Sequence, residues 1–145
     1  MSNSTVEIAL LNPSHTIGVK EQQKSITKFL ARYYRRSADD IRDYVRYAFD
    51  SAERNGVDPL LVIAIMSIES SLNPKAHSHK GAKGLMQVLV KVHTHRFKQF
   101  GGTRKAYQPR VSIEVGTRII AGMIERTGSV PEALKHYVGA RNFKS

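Results

Sequence analysis

The chain has 145 residues, 41% hydrophobic and 24% charged, enough for one domain that buries about two thirds of its unfolded surface without staples. It contains neither Cys nor Trp, which excludes disulfides and thiolate-bound metals. A formal charge of +11 predicts affinity for a polyanion, be it nucleic acid, an acidic membrane surface or an anionic cell-wall polymer, and no apolar run reaches the ~20 residues of a membrane span.

Met1 to Gly18 lacks periodicity and holds Asn12, Pro13 and Gly18, so an N-terminal arm is expected before a domain spanning residues 19–145. The short apolar patch Ile8 to Leu11 has no basic region ahead of it and does not read as a signal peptide. From Val19 to Arg36, Ile26, Phe29, Leu30 and Tyr33 recur at helical spacing, while Lys24, Lys28, Arg32, Arg35 and Arg36 form a cationic face that reads as solvated surface. Ser37 and Asp40 have capping-box spacing ahead of Ile41, Tyr44, Val45, Ala48, Phe49 and Ala52, which predicts a second helix ending at Gly56.

Asp58 and Pro59 are the cap and first residue of a third helix running through Leu60 to Ile68. It is apolar on every side, which predicts burial in the middle of the domain. Val90 to Phe100 is a weaker helical stretch ending at Gly101 and Gly102. A loop with Tyr107 and Pro109 then leads to a helix from Ser112, marked by Ile113, Gly116, Ile120, Met123 and Ile124 and stopped by Gly128. Gly116 and Gly122 are expected to permit close helix packing. Ser129, Pro131 and Glu132 repeat the start signals for a last helix through Ala133, Leu134, Tyr137 and Val138. No hairpin signal and no internal repeat is present, so the expected fold is mainly α, in a single domain.

Glu69 stands out because it closes the apolar run. Burial among Ile65, Met66, Ile68 and Leu72, and the negative end of its helix, both predict a raised pKa. A carboxyl group kept protonated near neutral pH can act as a general acid on a glycosidic oxygen. Spacing alone, however, favours a Glu that simply turns into solvent as its helix ends. Asp58 reads as a cap and Glu114 as a helix-surface residue. His77 with His79, and His93 with His95, do not complete a tetrahedral metal set and read as loop histidines.

Beyond Glu69 the chain continues Ser70, Ser71, Leu72, Asn73, Pro74, Lys75, Ala76, then Ser78, then Gly81, Ala82, Lys83, Gly84, Leu85, Met86, Gln87, Val88. This string resembles the E-S-x-x-N-P-x-A-x-S-x-x-G-A-x-G-L-M-Q-V signature of the lytic transglycosylases, the soluble lytic transglycosylase domain related to goose-type lysozyme. Ala133 to Gly139 resembles the family's A-L-x-x-Y-N-x-G segment, and Ser112 to Gly116 the helix start that precedes it. The resemblance covers roughly residues 45 to 140. Val138 stands where the family has asparagine, and the proline usual after Gln87 is absent.

The resemblance implies a lysozyme-like fold and cleavage of the MurNAc-β-1,4-GlcNAc bond of peptidoglycan to a 1,6-anhydromuramic acid product, with no metal and no cofactor. It implies Glu69 as the single catalytic acid and base, and Ser78, Met86, Gln87 and Tyr137 as substrate-binding residues. Ser78 would lie near the muramyl N-acetyl group, Met86 and Gln87 would line the saccharide cleft, and the Tyr137 hydroxyl would reach toward Glu69. The alternatives are a catalytically weak peptidoglycan-binding module of a secretion or phage-entry assembly, and a hydrolytic muramidase. The expected partners are peptidoglycan strands and a cell-envelope assembly, with no nucleic acid and no membrane span. The expected state is a monomer in the periplasm or cell envelope.

Overall fold

The computed structural model describes residues 15–142. The expected arm therefore lies, up to Ser14, outside the described residues, and His15 to Gly18 are already helical. The chain divides into two compact units, Met1–Val45 and Arg46–Ser145.

In the first unit, α1 (His15–Tyr34) begins before the predicted Val19. It ends with Arg35 in the left-handed region (φ 54), which lets Arg36 N donate to Ala31 O at 3.0 Å. Glycine usually makes this closure. Next, α2 (Ala38–Asn55) starts where Ser37 Oγ accepts from Asp40 N at 3.5 Å. Leu30, Ile41, Tyr44 and Val45 are buried.

The second unit takes up the chain at Arg46, within α2. Gly56 (φ 68) closes that helix as predicted, with Val57 N donating to Ala52 O at 3.0 Å. Asp58 caps α3 (Pro59–Ser70) by accepting from Leu60 N at 2.8 Å. The next strands, β1 (Ala82–Lys83) and β2 (Val88–Leu89), pair antiparallel with Ala82 opposite Leu89 and Lys83 opposite Val88. Two 3-10 helices follow, Thr94–Phe100 and Thr103–Lys105, then α4 (Pro109–Thr127) and α5 (Val130–Asn142).

Several sequence expectations are revised. A small hairpin exists although none was expected: its strands are too short for alternation to register, and its turn is made by left-handed Gly84 and Gln87. The Val90 to Phe100 stretch is 3-10 helix from Thr94 only, closed by Gly101 at φ 99. Pro109 is not a loop residue but the first residue of α4, a position where its missing N–H costs nothing.

The central helix is α4 rather than α3. Every residue from Val111 to Thr117 is buried, whereas α3 turns Leu60 (45% exposed), Ala64 and Ile68 (50% exposed) outward at four-residue spacing. A helix buried on one face and apolar on both is indistinguishable by composition from one buried all round. α5 packs on both α3 and α4, and α4 also contacts β2 and the longer 3-10 helix.

Candidate active site

The buried face of α3 carries Val62, Ile65, Met66 and Glu69 at three- to four-residue spacing. The same periodicity that packs the aliphatic residues therefore carries the carboxylate inward, to 7% exposure. The helix then ends on two successive non-glycine residues in the left-handed region, Ser71 (φ 50) and Leu72 (φ 61). Ser71 N donates to Ser67 O at 3.2 Å, and Leu72 is 1% exposed. Such a conformation costs about 1–3 kcal/mol per residue and persists only where packing enforces it. Here the buried Leu72 side chain holds it.

The loop after Glu69 is held by hydrogen bonds within itself, several of them between side chain and backbone. Asn73 Oδ1 accepts from Lys75 N at 3.0 Å across Pro74, and Ser78 Oγ accepts from Ala82 N at 3.1 Å. Ala76 O receives both Gly84 N (2.8 Å) and Gln87 Nε2 (2.9 Å), and Gln87 Nε2 also donates to Gly84 O at 3.0 Å. The Gln87 amide nitrogen, expected to meet sugar groups, is thus engaged in tying the loop together. Its carbonyl oxygen is the part of the amide left to accept.

Gln87 itself is left-handed (φ 49) and 6% exposed, so three of the four described non-glycine residues with positive φ fall in this loop or at the end of α3.

The peptide groups of Met86 are gripped from two helices. Its N–H donates to Ser112 Oγ of α4 at 3.1 Å, and its carbonyl accepts from the Tyr137 hydroxyl of α5 at 2.7 Å. The Met86 side chain is fully buried and sits against Gly116, where an added Cβ would lie 2.6 Å from its sulfur. Gly116 therefore admits a loop side chain rather than a helix, while Gly122 would meet only the Arg126 guanidinium at 3.3 Å. At Gly84 an added Cβ would lie 2.8 Å from Ala106 O and 2.9 Å from Ser112 Oγ.

Burial raises the pKa of Tyr137, and the negative charge of Glu69 raises it further, so the hydroxyl stays protonated and close enough to Glu69 to feel its field. Glu69, Met86, Gln87 and Tyr137 are thereby brought into one neighbourhood, with Met86 contributing backbone rather than side chain. Ser78 lies in the same loop, half-buried, with its oxygen bonded to its own chain.

Gln87 and Tyr137 also line a cavity of about 30 Å³ together with Val88, Leu89, His93, Ile119 and Met123. By sequence His93 is only a loop histidine. Burial lowers its pKa, and the nearby Arg96 and His95 charges lower it further, so it presents a neutral imidazole beside Gln87. No spacing rule pointed to it, because contact through the cavity is tertiary.

Glu114 departs from its reading as a surface residue. It is 4% exposed and accepts from Ser51 Oγ (2.6 Å), Arg54 Nη2 (2.6 Å), Asn55 Nδ2 (3.1 Å) and Arg118 Nε (2.8 Å). Burial alone would raise its pKa, but these four hydrogen bonds outweigh it and bring the value to about 2. Ser51, Arg54, Glu114 and Arg118, with Tyr47, Asp50, Phe100 and Arg110, line a cavity of about 350 Å³. The carboxylate is held ionised, so it serves as a staple between α2 and α4 and not as an acid.

The family model for the Transglycosylase SLT domain matches residues 46–144, starting where the second unit starts. A transglycosylase of Enterobacteria phage PRD1 is 38% identical over 92 residues, covering 63% of this chain and 32% of that protein. The membrane-bound lytic murein transglycosylase C of Haemophilus influenzae (strain PittEE) is 40% identical over 83 residues, covering 52% of this chain and 23% of that protein. The protein of the same name from Actinobacillus pleuropneumoniae serotype 5b (strain L20) is 35% identical over 86 residues, covering 55% and 24%. The aligned segment spans a third or less of each of these relatives. The match over most of the length, with the mainly α architecture and the Glu69 loop, makes this chain a member of the transglycosylase SLT domain family, with its lysozyme-like fold.

Proposed function

We propose that the protein is a peptidoglycan lytic transglycosylase of the cell envelope, with the chemistry in the unit that begins at Arg46 and with Glu69 as general acid and then general base. The observation that carries this reading is a carboxyl group at 7% exposure, delivered by the end of α3 to a loop of strained backbone, with the neutral Tyr137 beside it.

The protonated Glu69 gives its proton to the glycosidic oxygen as the bond from that oxygen to C1 of N-acetylmuramic acid breaks. The resulting carboxylate takes the proton of the muramyl 6-hydroxyl as O6 closes on C1. The 1,6-anhydro product leaves, Glu69 is protonated again, and no water, metal or redox partner enters the balance. Tyr137 acts as a positioning residue through the Met86 carbonyl. Ser78, accepting from Ala82 N, has its hydroxyl proton to offer the muramyl N-acetyl carbonyl.

Digestion of purified sacculi followed by mass spectrometry tests this. The expected products are 1,6-anhydromuropeptides, and Glu69→Gln should lower their rate of formation by about 10²–10⁴-fold or more. Reducing-end muropeptides would instead identify a muramidase. Retention on sacculi without cleavage would identify a binding module.

A further inference from the structure

The feature outside the site that chemistry marks most strongly is the exposed face of α1, which lies wholly in the first unit. Lys20, Lys24, Lys28 and Arg32 follow one another at four-residue intervals, all exposed, and Arg35 and Arg36 extend the run. Glu21 is the one acid between Gly18 and Arg36. Four-residue steps advance about 40° around a helix, so these cations fill one broad arc.

Next to that arc, and away from buried Thr27 and Leu30, stand Phe29 (63% exposed) and Tyr33 (68% exposed). Their rings stack at 5.8 Å, and Tyr34 meets Tyr33 edge-on at 4.9 Å. The helix therefore carries two apolar surfaces, one turned inward and an aromatic one turned to solvent beside a ladder of positive charge.

We propose that this face of α1 binds the surface of an anionic phospholipid bilayer. The cations match acidic headgroups, each contributing on the order of fivefold to partitioning. The phenyl and phenol rings suit the interfacial layer, which accepts aromatic rings that water does not. A soluble polyanion would satisfy the charges and leave the rings exposed, so the aromatic pair is what favours a lipid surface. The proposal is independent of the chemistry at Glu69, and its test contains no peptidoglycan.

The full chain is mixed with vesicles of phosphatidylcholine alone, or with about 30% phosphatidylglycerol, and bound protein is measured by flotation. Binding to the acidic vesicles should exceed that to neutral ones by about tenfold or more at low salt. The pair Lys24→Glu and Lys28→Glu should lower it by about tenfold or more. The pair Lys91→Glu and Lys98→Glu, exposed residues of the second unit with the same change in charge, should leave it close to wild type.

Phe29→Ser with Tyr33→Ser should remove the fraction that survives high salt. Circular dichroism confirms that each variant is folded.

Equal binding to both vesicles, or an equal loss in the Lys91 and Lys98 pair, would overturn the proposal. It would also be overturned if the aromatic pair had no effect while soluble polyglutamate displaced the protein completely, which would identify a polyanion surface.

Discussion

Glu69 and Glu114 are the buried acids among the described residues, and their surroundings differ in kind. Glu114 is ringed by two guanidiniums, an amide and a hydroxyl, so it is locked as an anion. Glu69 faces Tyr137, a hydroxyl whose own ionisation it opposes.

Tyr137 can be tested directly. Tyr137→Phe removes the donor to the Met86 carbonyl and leaves that buried acceptor unpaired, at a cost of about 1–3 kcal/mol. Urea unfolding should report this loss, and the proposed cleavage of sacculi should slow because Met86 and Gln87 lose an anchor.

Among the elements, α4 does the organising, through contacts that two of its residues make. Glu114 ties it to α2. Its folded pKa of about 2 lies below the ordinary value of 4.5, so its stabilisation is complete above about pH 5 and is lost as pH falls toward 2. The full shift corresponds to about 3 kcal/mol, reduced by solvent screening because Arg54 is 57% exposed. Urea midpoints measured from neutral pH downward should show wild type and Glu114→Gln converging as the acid limit is approached.

Gly116 ties α4 to the loop. Gly116→Ala would press a methyl group to 2.7 Å from Met86 Cβ, which a flexible side-chain end cannot relieve, and should destabilise by about 1–3 kcal/mol. Gly122→Ala meets only the mobile Arg126 head and should stabilise by about 0.5–1 kcal/mol. Thermal melts of the two variants should shift in opposite directions.

For the whole molecule the governing quantity is charge. With 23 Lys and Arg against 12 Asp and Glu, the protein should be drawn to acidic sacculi at a distance. Retention of Glu69→Gln on sacculi should fall severalfold between about 0.05 M and about 0.5 M NaCl, as the screening length shrinks from over 10 Å to a few ångström. Pull-down across a salt series measures this separately from cleavage.

Caps and stops were legible from the chain alone: Asp58, Gly56, Gly128 and Ser129 act where read, because capping is a bond between residues a few positions apart. The mainly α fold and the family resemblance were legible for the same local reason. Which helix is central, where Glu114 points, and the hairpin held through Ala76 O were not, since the hairpin and Glu114 depend on partners 8 to 63 residues away and centrality on packing between whole elements. The sequence by itself determined that a carboxylate closes an apolar helix before a glycine-bearing loop. Only the tertiary structure decided that Glu69 turns inward toward Tyr137, because helical periodicity carries it onto α3's buried face and packing against α5 determines what that face meets.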